Sequence, residues 1–173
     1  MEQAEAHGRY YITCLRNGSV LWVDTIDNLV VDGGKNYALD TYLTGSAYTV
    51  TGPFIGLISS VSYTTGPAST DTMASHPGWF EVSATTYFPT VAARLTPGWS
   101  AAAAGSKSFS SPVSFTIITN GGTLKGCFLV FGAGATSSLG STTGVLYSAG
   151  TFSGGDKPVS PNDVIQISFT AAL

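Results

Sequence analysis

The chain has 173 residues and a net charge of −3, the size of one ordinary domain and long enough to bury about two-thirds of its unfolded surface without disulfides or metals. Only 10% of its residues are charged while 43% are hydrophobic, against about 25% charged in typical soluble domains. No basic stripe is present to hold nucleic acid and no run approaches the ~20 apolar residues that span a bilayer. Neither nucleic acid nor a membrane is therefore expected as a partner. A surface made of hydroxyls, amides and glycine backbone suits lasting contact with protein neighbours.

Residues 1 to 8 are small and polar without periodicity and read as a flexible N-terminal arm, with a single domain over 9–173. They carry no basic start or apolar core of a signal peptide. Synthesis in a reducing cytoplasm is expected, with Cys14 and Cys127, each inside an apolar run, as buried free thiols. Arg9–Leu15 and Val20–Thr25 flank Arg16-Asn17-Gly18-Ser19, the Asn-Gly signature of a β-hairpin. One helix is predicted, near residues 31–43: Asp32 offers a cap, Leu39, Tyr42 and Leu43 share a face, and Gly45 ends it. Such a helix would pack its apolar face on a β-sandwich, with Gly33 and Gly34 weakening its first turn.

Short β-forming runs then alternate with Gly, Pro and Ser punctuation: Phe54–Ile58, Thr86–Phe88, Val91–Leu95, Val113–Thr119, Leu124–Phe131, Gly144–Tyr147 and Val164–Ala171. Ile165, Ile167 and Phe169 alternate with polar residues, as a half-buried strand demands. Asn120-Gly121-Gly122 and Gly132-Ala133-Gly134 read as hairpin turns, since neither carries the Lys-Ser/Thr of a phosphate loop. Nine or ten such strands predict an all-β single domain, a two-sheet β-sandwich or jelly roll with one short helix.

Catalytic raw material is scarce. His76 is the single histidine of the folded region, and its neighbours Ser75 and Pro77 suggest a turn. Asp71 and Glu81 are the one carboxylate pair that could face each other as a glycosidase acid and base. Capping of backbone N–H groups, with Asp71 opening a single helical turn, is the simpler role for Asp71. Asp24, Asp27 and Asp32 lack the alternate spacing of a calcium loop. No enzyme activity, cofactor or metal is expected. Trp22 is assigned to the core. Trp79 and Trp99, each after a Pro-Gly pair at a turn, are candidate contact residues, together with Tyr42 on the helix and Arg9 at the start of the first strand.

Three groups of segments, Asn28–Asp40 with Phe54–Ile58, Asp71–Glu81, and Leu124–Leu129 with Gly144–Ser148, resemble a group of small proteins encoded among the head and tail structural genes of tailed bacteriophages. The resemblance spans roughly residues 20 to 170, and no catalytic residue carries over with it. It implies a virion protein made in the host cytoplasm, in the first place a capsid cement or decoration protein bound to the major capsid protein or other virion subunits, as a homo-oligomer with a trimer favoured. A tail, baseplate or fibre-attachment component and a carbohydrate-binding module are the alternatives.

Overall fold

The structure, a computed structural model, describes residues 6–44, 51–82, 93–118 and 120–172. Its elements in chain order are β1 (His7–Arg16), β2 (Ser19–Val30), α1 (Asp32–Thr44), β3 (Phe54–Ser59), β4 (Phe80–Glu81), β5 (Ser106–Ser108), β6 (Val113–Thr116), β7 (Gly122–Phe131), β8 (Val145–Thr151), β9 (Lys157–Val159) and β10 (Val164–Ala172). All strand pairs are antiparallel, in the order β4-β3-β7-β8-β2-β1-β10-β5, with β6 also on β10 and β9 also on β7.

The first hairpin forms as its sequence predicts. Asn17 and Gly18 both take positive φ, 52° and 78°, the two-residue turn that matches the twist of the strands it joins. The first strand starts at His7, which pairs with Ala172, so His7 and Gly8 belong to the sheet and not to the arm; residues 1–5 lie outside the described part. β2 is the seam of the molecule. Up to Asn28 it pairs with β1, and then Leu29 and Val30 pair with β8. The continuous sheet thereby becomes two halves, β2-β1-β10 with β5 and β6, and β4-β3-β7-β8 with β9, which share one core. Tyr10, Ile12, Cys14, Ile165, Ile167 and Phe169 meet Ile55, Leu57, Leu124, Cys127 and Leu129 there. The fold is an all-β sandwich.

A second core covers the far side of the β3-β7-β8 half, where Ile58, Phe128, Val130 and Leu146 pack with Val31, Met73 and Trp79 from the connections. Strands covered on both faces read as continuous apolar runs, which is why Phe54–Ile58 and Cys127–Val130 show no alternation while β1 and β10 alternate strictly.

The helix is present but rests on a different face from the predicted one. Leu39 and Leu43 are 56% and 79% exposed. The contact with the sheet is made through Gly34, where a Cβ would lie 2.6 Å from the Tyr147 carbonyl oxygen, and through Tyr37, edge-on to Phe131 at 4.5 Å. Two further predictions change. Asn120-Gly121 is a turn with both φ positive, yet it joins β6 to β7, which lie in different halves, so it closes no hairpin. Of Val91–Leu95, residues 91 and 92 lie outside the described part; among the described residues Ala93 and Leu95 form isolated bridges, to Ser138 and Ile55. Thr86–Phe88 lies outside the described residues. No helix among them is long and apolar enough to cross a membrane.

Candidate functional site

A cleft of about 780 Å³ opens on the outer side of the β3-β7-β8 half. Its floor is Phe128 on β7, its rim includes Val61 and Phe80, each 47% exposed, and its walls are the turn carrying His76 and the loop around Gly140 and Ser141. The candidate chemical residues of the sequence, Asp71, His76 and Glu81, all lie at or under this cleft.

Each has structural partners. The Trp79 indole Nε1 donates to Asp71 Oδ2 at 2.8 Å and the Ala68 amide donates to the same oxygen at 3.0 Å. The expected helical turn after Asp71 is instead a tight turn, closed by reciprocal main-chain bonds between Thr72 and Ser75. His76 lies flat on Trp79, 4.0 Å between ring centres, with Nδ1 2.8 Å from the Trp79 carbonyl oxygen. Glu81 accepts two parallel bonds from Arg94, Nε to Oε1 and Nη2 to Oε2, both 2.9 Å, and a third from the Gly140 amide at 2.7 Å. Arg94 also donates to the Thr136 and Ser141 carbonyls and lies over the Phe128 ring. Both side chains of this pair are buried. Forked bonds of this kind are strong and directional, and here they seat the loop 136–141 as the cleft wall. Arg94 falls in a run that looks like an ordinary strand, and nothing local marks its partner, so the pair leaves no signal in the sequence.

The candidate contact residues are dispersed. Trp79 is fully buried, between His76 and Phe128, and offers no surface to a partner; the Pro-Gly before it turns the chain inward instead of outward. Trp99 is half-buried, edge-on to Phe109 and Phe169, with its Nε1 buried and without a hydrogen-bond partner among the described residues. Tyr42 lies in α1, its side chain outside the described part. Arg9 is exposed on β1 and bonds Asp27. Trp22 packs on Phe152 at the core, as assigned, beneath the Lys157 ammonium.

Electrostatics are settled within the chain. Five of the seven basic residues bind carboxylates of the same chain: Arg9 to Asp27, Arg16 to Asp163, Arg94 to Glu81, Lys125 to Asp156 and Lys157 to Asp24. Burial alone would push the Asp24 carboxyl up, but Lys157, Ser153 and the Thr25 and Gly154 amides outweigh it and hold the pKa at about 2. Arg16 lowers that of Asp163. Burial raises both thiols, Cys14 to about 11 and Cys127 well above its ordinary value, so both stay protonated and unreactive near neutrality. Both are free and buried. Among the described residues no group of three or more His, Cys, Asp or Glu is placed to hold a metal.

No known family model, curated protein or solved structure matches the chain.

Proposed function

We propose that the chain is an adhesive structural subunit of a tailed-phage virion, a cement or decoration protein that binds the major capsid protein and stabilises the shell. The observation that carries this reading is where the charge goes. The few ionisable groups are mostly consumed in pairs within the chain, one of them, Arg94 with Glu81, buried on both sides, leaving a surface of hydroxyls and scattered large apolar side chains such as Tyr11, Val23, Leu39 and Phe80. Such a surface adheres through many weak uncharged contacts, which repetition over a shell multiplies. The virion setting itself comes from the resemblance of the sequence segments.

Incubating the chain with shells of the major capsid protein and pelleting them tests this. The chain should sediment with the shells at saturable stoichiometry and stay bound at ~1 M salt, where exposed ion pairs are screened out. No sedimentation, or release by salt alone, sinks the reading. Binding to tails with a dozen or fewer copies moves the protein to the tail or baseplate. A carbohydrate-binding role draws no support from Trp79, because both faces of its indole are covered.

A further inference from the structure

A strand at the edge of a sheet presents main-chain N–H and C=O groups ready to pair with another chain, and proteins guard such edges with lysine, proline, bulges or a covering segment. β10 has β1 on one side; on the other, β5 lies along its C-terminal end and β6 along its N-terminal end. These two stretches of edge are treated differently.

The β5 stretch is covered. Ser100 donates its amide to the Ser108 carbonyl, Ala103 and Ser106 exchange main-chain bonds, and Ser110 donates to Gly98. Lys107 adds a charge there. Among the described residues the β6 stretch has no such cover. In an antiparallel strand alternate residues direct both N–H and C=O to the same side. Ile117 donates to the Asp163 carbonyl and accepts from the Asn162 amide, so Val113, Phe115 and Ile117 address β10 while Ser114, Thr116 and Ile118 address the outside. None of these three makes a main-chain bond to another described residue on that side. Phe115 and Ile117 are buried and fix the strand in place, while Ile118 is 49% exposed. No ionisable residue occurs between Lys107 and Lys125.

We propose that this open edge, Ser114–Ile118, pairs with the same edge of a second copy of the chain, antiparallel about a two-fold axis at Thr116, so that one sheet runs through both subunits. The absence of charge selects the second copy as occupant. At a two-fold axis each residue faces its own counterpart or a near neighbour, where a lysine or glutamate would meet its like; Ser114 opposite Ile118, and Thr116 opposite itself, carry no such penalty.

The isolated chain tests this by light scattering or sedimentation, without any shell, so the outcome is separate from that of the capsid-binding experiment. The wild type should have twice the 17.8 kDa chain mass at micromolar concentration. Thr116→Pro removes an outward N–H and no bond to β10, and Thr116→Lys sets two charges against each other on the axis. Each should halve the mass with circular dichroism and melting temperature unchanged; if the proline variant does not fold, the lysine variant decides. A wild type of single-chain mass, a trimeric mass, or a dimer that survives Thr116→Lys overturns the proposal.

Discussion

The two halves of the sandwich share one core but solve different problems. The β2-β1-β10 half is buried on one face, and its outer face exposes Tyr11, Val23 and a field of Ser and Thr. The β3-β7-β8 half is buried on both, under a layer built from the segment 60–79, the loop 132–144 and α1. Side chains of the second half have neighbours all round, whereas half of those in the first have water. Stability should therefore concentrate in one half and leave the other free to make contacts.

The sharpest way to break this contrast is Phe128→Ala. That ring is fully buried beneath Trp79 and Arg94, and its loss should cost about 4 kcal/mol, read by chemical denaturation. A cost near that of a surface change would mean that the outer layer is only loosely attached. Next in size is Glu81→Gln, which leaves Arg94 charged and buried with half its fork; about 3 kcal/mol is expected, with loosening of the 136–141 loop visible by hydrogen exchange. Pairing Glu81→Leu with Arg94→Met should cost less than Glu81→Gln alone, because no buried charge is then left unpaired.

Third comes Gly34→Ala. In a free helix this change is favourable, yet here the added methyl would meet the Tyr147 carbonyl at 2.6 Å, so a loss of about 2 kcal/mol is expected, while Leu39→Ser and Leu43→Ser should leave the melting temperature unmoved. The reverse ranking would place the helix on its leucine face.

Asp24 ties the seam strand to the segment after β8 through Ser153, Gly154 and Lys157. Its folded pKa of about 2 lies below the ordinary carboxylate value. The stability it contributes is thus complete above the unfolded pKa and is lost as pH falls from about 5 towards 2. Asp24→Asn should lower stability at neutral pH by roughly 1–2 kcal/mol and flatten the acid limb of the stability curve. An unchanged acid limb shows that other carboxylates, Asp163 foremost, carry it.

The contrast between the halves also explains what was legible beforehand. Strands with one wet face announce themselves: β10 and the Asn17-Gly18 hairpin could be read from alternation and turn chemistry alone. A strand covered on both faces gives only an apolar run, so Phe54–Ile58 and Leu124–Phe131 were recognisable as strands, but their second core was not. The short strands β5 and β9 carry almost no pattern, since Ser106–Ser108 and Lys157–Val159 are held by their partners and not by their own composition. Glycine misled in α1: Gly33-Gly34 looks like a weak helix start, whereas the missing Cβ of Gly34 is what lets the helix approach the sheet. At the cleft, Asp71, His76 and Glu81 could be noticed, but their partners, Trp79 and Arg94, depend on long-range packing that no local spacing encodes.

The smallest expected effect bears most directly on the wet half. Val23 is 65% exposed on the outer face, opposite Thr13 and one residue from the buried Asp24. Exchanging it for threonine keeps the branched, strand-favouring shape and replaces one methyl by a hydroxyl, so stability should change by less than ~0.5 kcal/mol. If the face is adhesive, the same change should weaken attachment to the shell, because an apolar contact repeated in every copy is lost each time. Stability and binding should then separate at this position, as they cannot at Phe128. A loss of stability above ~1 kcal/mol at Val23 would show that this face is already covered within the folded chain, and the division of labour between the halves would fail.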